Sequence, residues 1–328
     1  MGKKVHTVMA LELGIDSLRF VEMARDERRV IAVGAFPLAS GQGRGAAYPE
    51  LDTLEASVRA ALGAARGTPQ AVMVSVALGE AWLRLLDAPD DADGADDESA
   101  VRDYAEWDMS RYLGCSREDV AQDLVLDVIE GPEGPFQARR VIVAAFPRAA
   151  ALAVRATVER AAGLPLAALD VDAAAVVNAF VANYPELSAE RTILVQAHAA
   201  ATALVRVQQG RFQGAVVRRD GEALSPAGHD DAQQRAEGYL HRVRGIVSSL
   251  QAGTDGWDEP AHVLLCGELA RDADFRELLR AHLPVPFSLL NPFRNIAGPD
   301  PVDYPDAYPG AALAAPVGLA WRLAEDAS

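Results

Sequence analysis

Apolar positions in the first 37 residues fall in three runs, 5–13, 17–24 and 30–36. The short turn Gly14-Ile15-Asp16 parts the first two, and the charged turn 25–29 parts the last two. Short runs rich in Val, Ile and Leu and bounded by turn residues predict strands, here a three-stranded meander. After a Gly- and Ser-rich loop at 40–46, the spacing over 51–65 changes to a helical rhythm. Strands are expected at 71–78 and 81–86 around Gly79-Glu80. An acidic stretch, 87–98, then reads as a solvated loop feeding a helix over 99–112, where carboxylates suit the helix dipole. Strands at 120–129 and 137–146 around the turn 130–135 complete a strand–strand–helix–strand–strand unit. A helix over 148–162, a buried strand at 166–171 and an Ala- and Val-rich helix over 173–184, closed by Pro185, follow.

The opening pattern then returns as strands at 192–197, 202–207 and 212–218. With an offset of 184, Glu12 falls on Gln196, Gly14 on His198, Phe20 on Leu204 and Met23 on Val207. Each copy reads strand–tight turn–strand–turn–strand, a structural repeat argued from pattern. Beyond it the spacing predicts a helix over 230–251, a Gly-rich turn at 253–256 and a strand at 262–265 running into Cys266-Gly267-Glu268. A helix over 272–283, a strand at 285–290, a Pro-rich segment at 291–309 and a last helix over 310–324 complete the chain.

Length and charge narrow the classes. A chain of 328 residues is too long for one ordinary core and suits two lobes. A formal net charge of −16 repels nucleic acids and anionic lipid headgroups, so membrane association should run through a protein partner. The two cysteines, Cys115 and Cys266, read as reduced thiols. The N-terminus lacks the apolar core of a signal peptide, and no stretch reaches the roughly 18 apolar residues of a membrane span. No amphipathic membrane anchor is expected after the last helix.

Five stretches, in order, resemble the PilM family of type IV pilus assembly proteins, FtsA-like members of the actin-like ATPase superfamily. They are 10–23 (ALELGIDSLRFVEM), 107–126 (WDMSRYLGCSREDVAQDLVL), 161–180 (AAGLPLAALDVDAAAVVNAF), 289–293 (LLNPF) and 316–322 (PVGLAWR). The cell-division protein FtsA itself fits less well, because it uses a C-terminal amphipathic helix. The resemblance implies an α/β fold of two lobes, each on a duplicated mixed sheet with helices, plus an inserted α+β subdomain. The first lobe would take 1–70 and 147–190 with the C-terminal helix 310–328, and the insert 71–146. The second would take 191–309, with a helical subdomain at about 225–260.

In that superfamily a nucleotide is gripped between two β-turns, whose backbone N–H groups hold phosphate, with a third turn against the adenosine. By resemblance the site residues here are Glu12, Gly14, Asp16, Ser17 and Arg19 in the first turn, Gln196, His198 and Thr202 in the second, and Gly267 and Glu268 in the third. All three turns depart from the family pattern. Glu12 stands for an Asp and would reach Mg²⁺ only through water. Arg19 stands for a Lys. Gln196 removes a carboxylate, and His198 puts a Cβ where a glycine is usual and positive φ is in question. Glu268 adds negative charge. These changes point to a site with weak or lost ATP binding. The cofactors implied are ATP and Mg²⁺, if the site holds any. No catalytic base stands out, Asp170 and Asp172 read as a helix N-cap pair, and His198 has no metal-ligand partner at ligand spacing.

The resemblance further implies a cytosolic scaffold or adaptor of a type IV pilus or type II secretion platform, peripheral to the inner membrane. Its partners would be other platform proteins and a PilN-like single-span protein. The tail of that protein would lie between the first lobe and the insert, along 71–86 and 99–112, on a sheet edge or in apolar pockets. Two alternatives stay open at this point: an ATP-binding, nucleotide-gated member of the family, and an active ATPase.

Overall fold

The computed structural model describes residues 6–14, 17–38, 50–78, 80–87, 98–130, 140–198, 201–219, 232–252, 260–299 and 310–326. The expected loop at 40–46, most of the acidic stretch 87–98, the turn at 253–256 and Asp16 lie outside them.

The first sheet is built from β1 (His6–Leu13), β2 (Ser17–Ala24), β3 (Arg29–Pro37), β4 (Thr68–Val76) and β8 (Leu166–Val171), in the order β3-β2-β1-β4-β8. The antiparallel meander β1–β3 is extended by parallel β4 and β8. Every residue of β2 is buried, as are all but the first of β1. Their near-continuous apolar runs, in place of strict alternation, reflect a sheet covered on both faces. On one face lie α1 (Leu51–Ala64) and α4 (Arg148–Ala162), and on the other α8 (Ala314–Asp326) and α5 (Asp172–Asn183).

The second sheet repeats the plan. β9 (Thr192–Ala197), β10 (Ala201–Gln208), β11 (Arg211–Arg219), β12 (His262–Cys266) and the two-residue β13 (Ser288–Leu289) lie in the order β11-β10-β9-β12-β13. The offset of 184 holds in the hydrogen-bond register: Glu12 faces Arg19 across β1 and β2, and Gln196 faces Ala203 across β9 and β10. The repeat read from the sequence is therefore a repeat of backbone. One face of this sheet packs on α6 (Ala232–Gln251) and α7 (Ala273–His282) through Tyr239, Val243, Ile246, Phe275 and Leu279.

Helix α5 joins the lobes. Its Ala- and Val-rich surface is buried almost all round, and it packs on α8 on one side and on β9–β11 on the other. One apolar core therefore runs from Leu11 and Phe20 through Val176 and Phe180 to Val205 and Cys266. At the α5–α8 crossing, a Cβ on Gly318 would come within 1.9 Å of the Ala175 carbonyl oxygen, so only glycine allows this approach.

The inserted unit differs from expectation. β4 pairs with β1 and β8 in the first sheet, so a boundary at Ala71 falls inside a lobe strand. The separate sheet has three strands, β5 (Trp82–Asp87), β7 (Arg140–Pro147) and β6 (Leu124–Glu130), in the order β5-β7-β6. It packs on α2 (Glu98–Leu113) and α3 (Arg117–Asp123) through Leu86, Val101, Ala105, Met109, Val141 and Val143. The first residues of the expected strand at 120–129 are instead helical. Ser116 and Asp119 form a reciprocal capping box that starts α3. The expected strand at 285–290 shrinks to β13, beside prolines that cannot donate to a ladder.

Candidate functional site

Two equivalent β-turns face each other across the lobes. In the first, the Gly14 N–H donates to the Ser17 carbonyl at 2.9 Å. In the second, the His198 N–H donates to the Ala201 carbonyl at 3.0 Å. Neither Gly14 nor His198 has positive φ. The concern that histidine is strained in a glycine's place is thus overturned: this turn needs no left-handed residue there. What Gly14 supplies is space. A Cβ on it would lie 2.8 Å from the Ser17 carbonyl oxygen and 3.1 Å from both Arg19 Nη2 and Glu268 Oε1. The third turn, after β12, does require glycine. Gly267 has φ +89°, and a Cβ on it would be 2.5 Å from the Ala197 carbonyl oxygen.

Above these turns the protein has placed its own charges. Arg19 is fully buried, with Nη2 3.0 Å from Glu12 Oε1 and Nη1 3.1 Å from Glu268 Oε1. Both carboxylates are also buried. One guanidinium thus ties the first turn of one lobe to the third turn of the other. Against this trio stand Asp172, at the start of α5, and His198. Asp172 Oδ1 accepts from the Leu78 N–H at 2.7 Å, and Oδ2 lies 3.3 Å from His198 Nε2. That last contact is within ion-pair reach but off hydrogen-bond alignment. Arg242, buried on α6, donates to the His198 carbonyl.

Burial dominates at Glu12 and lifts its carboxyl above the usual range, with Arg19 and His198 opposing. At His198 burial pulls the other way, yet Asp172, with Glu268 and Glu12, carries the imidazole above its ordinary value. Burial, then Asp172 and Glu12, push the Cys266 thiol well up, so it stays protonated.

The site is thus only partly the expected one. Glu12, Gly14, Arg19, His198 and Glu268 converge. Gly267 underlies the third turn, and Gln196 is paired in register with Cys266. The Ser17 carbonyl closes the first turn, while Thr202 lies in the ladder opposite Ala197 and Arg218. Asp172, read as half of a capping pair, joins the cluster instead. Neither it nor Asp170 caps α5: the N-cap is Val171, and Asp170 holds Arg322 at 3.2 Å. The signal for Asp172 was its place at the crossover between lobes. Linear spacing also hid the company of His198, because Glu12 and Asp172 reach it from the other lobe and from α5.

A nucleotide's phosphates would lie between the two turns. There the Arg19 guanidinium and the Glu268 carboxylate pack against Gly14, and the Asp172 carboxylate stands beside His198. The residues present do not fit a polyanion.

No family profile and no curated protein matches the sequence. Solved structures do. The chain is similar to one described as a PilM-PilN type IV pilus biogenesis complex, at 20% identity and TM-score 0.76, over 96% of this chain and 98% of that one. It is also similar to a Bacteroides thetaiotaomicron protein with an actin-like ATPase fold, at 9% identity and TM-score 0.51, over 87% and 91% of the two chains. A third is the ethanolamine utilization protein EutJ from Carboxydothermus hydrogenoformans, at 10% identity and TM-score 0.50, over 96% and 89%. The chain has the actin-like ATPase fold.

Proposed function

We propose that this protein is a cytosolic scaffold of a type IV pilus assembly platform, peripheral to the inner membrane. It docks the cytosolic tail of a PilN-like single-span protein, and its interlobe site is held by its own ion pairs instead of by ATP. The observation that carries this reading is the likeness to the PilM-PilN structure over nearly the whole of both chains. Among the described residues no helix is long and apolar enough to cross a membrane.

The inserted unit offers the seat. β4 lies inside the first sheet and presents no free edge, which removes 71–76 from the surface considered for the tail. β5 and α2 remain. On α2, Trp107 and Tyr112 are exposed while Tyr104 stacks on Trp107. Arg111 lies over the Trp107 ring at 4.7 Å, and Arg84 of β5 over the Tyr112 ring at 4.3 Å. Aromatic and arginine side chains of this kind dominate binding hot spots.

Calorimetric titration of the full chain with the cytosolic tail peptide of a PilN-like single-span protein tests the proposal. Stoichiometric binding, weakened about 30-fold or more by Trp107→Ala, is expected for a hot-spot residue. Absence of heat at high peptide concentration would overturn it.

The matching hydrogen bonds that close the two turns favour one second reading, a nucleotide-gated scaffold. Coupling is reciprocal, so ATP would then change peptide affinity by the same factor as peptide changes ATP affinity. Independent titrations would exclude gating.

A further inference from the structure

The side chains opposite Arg19 have a composition that ion pairing alone does not explain. Glu12, Asp172 and His198 arrive from β1, from the start of α5 and from the end of β9, and their donor atoms lie within 4.8 Å of one another. Glu12 Oε2 is buried and accepts no hydrogen bond, although Glu12 Oε1 is taken by Arg19. Neither amide atom of the buried Gln196 has a hydrogen-bond partner. Its neighbour in the ladder, Cys266, lies within electrostatic reach of Asp172 and Glu12. Glu12, Asp172 and Glu268 face the guanidiniums of Arg19 and Arg242, the latter reaching the cluster from behind His198. Three carboxylates thus gather around two guanidiniums and one imidazole.

We propose that Glu12, Asp172 and His198 bind a divalent first-row transition cation directly, through two carboxylate oxygens and one imidazole nitrogen. Metal–ligand bonds of about 2.1 Å place adjacent donors about 3 Å apart. The Asp172–His198 edge, at 3.3 Å, is already at that span. From a separation of at most 4.8 Å the Glu12 carboxylate closes in by no more than about 1.8 Å, and its second oxygen is uncommitted for the purpose. Mixed oxygen and imidazole donors select Mn²⁺, Fe²⁺ or Zn²⁺ over Mg²⁺, which prefers oxygen alone and keeps its waters. Such a cation differs from the hydrated Mg²⁺ of nucleotide sites: it needs no phosphate, and it pins three elements of the interlobe seam. The proposal stands apart from tail docking, which calorimetry with the peptide reads separately.

Mn²⁺ is the probe. Full-length protein is stripped with EDTA, desalted and titrated with Mn²⁺ under paramagnetic resonance, which gives the stoichiometry. Pulsed spectra then show whether an imidazole nitrogen couples to the ion. We expect one Mn²⁺ per chain, nitrogen coupling, little competition from Mg²⁺, and unchanged binding in His241→Ala. His198→Ala should abolish the coupling and weaken binding more than about 100-fold, beyond the loss typical of outer-shell partners. If that variant fails to fold, Glu12→Gln and Asp172→Asn give the same readout. Mn²⁺ bound without nitrogen coupling, or bound equally by the variants, would be adsorption to the acidic surface and would overturn the proposal. Absence of stoichiometric binding would overturn it too.

Discussion

The two β-turns that face each other across the lobes share their closing hydrogen bond and the register of their strands, and differ in chemistry. Each closes with one N–H to carbonyl bond at nearly the same length, and their strands keep one register at an offset of 184. Yet Glu12, Gly14 and Arg19 on one side correspond to Gln196, His198 and Ala203 on the other. The first turn carries an ion pair and needs empty space at its glycine. The second carries a neutral amide and an imidazole and needs no glycine. Backbone hydrogen bonds and apolar faces preserve a duplicated meander regardless of the side chains at its tip. Those tips are then free to change, and here they have changed into groups that satisfy one another. The largest test of that statement is Arg19→Ala. It leaves Glu12 and Glu268 buried without their guanidinium, and breaking a buried pair in this way costs about 3–5 kcal/mol. Urea denaturation should show the loss, and the triple variant Arg19→Ala, Glu12→Gln, Glu268→Gln should recover much of it. If Arg19→Ala alone were neutral, the trio would not be holding the lobes.

A smaller effect comes from making the second turn resemble the first. Gln196→Glu buries another carboxyl beside the cluster. That group protonates before it stays charged, so the cost at neutral pH is bounded, at about 2–3 kcal/mol. Its sign with pH follows from linkage. A carboxyl whose folded value is raised binds its proton more tightly when folded. Its contribution is complete below the ordinary carboxylate pKa and is lost as pH rises through the raised value. Glu12 in the parent protein has the same sign, because burial raises it. With EDTA present, stability of the variant should match the parent below about pH 4 and fall below it as pH rises towards 8. A constant gap at all pH values would mean that position 196 is wetter than its burial indicates.

How much of this could be read from the sequence divides along the same line. The repeat was legible because strand periodicity and turn residues encode backbone, and 192–197 and 148–162 match β9 and α4 to the residue. The edge of the inserted unit was not. A strand such as β4 reads the same whether it joins its own hairpin partner or crosses over to β1, and only pairing decides that. Within the site, the residues of the two turns were found through their resemblance and their offset. Asp172 was misread, since an acid before an Ala-rich helix is most often a cap. Its actual partners, Leu78 and His198, lie far off in sequence, and no local pattern encodes that distance.

The smallest effect separates space from side-chain identity at the matched glycine and histidine. Gly14→Ala puts a methyl against the Ser17 carbonyl and between the buried ends of Arg19 and Glu268. Overpacking of that kind costs about 1–3 kcal/mol, because the backbone oxygen has to shift. His198→Gly restores a glycine to the second turn, where φ is already in the ordinary range. In an Asp172→Asn background, where no buried carboxylate loses its imidazole, the backbone cost is the freedom added to the unfolded chain, about 1 kcal/mol or less. Denaturation midpoints of the two variants in that background, in EDTA, should therefore differ, with Gly14→Ala the less stable. Equal losses would mean that the two turns make the same demand on this position. The asymmetry of the seam would then lie in the strands Glu12–Arg19 and Gln196–Ala203 alone, whose facing side chains differ even where the turns between them do not.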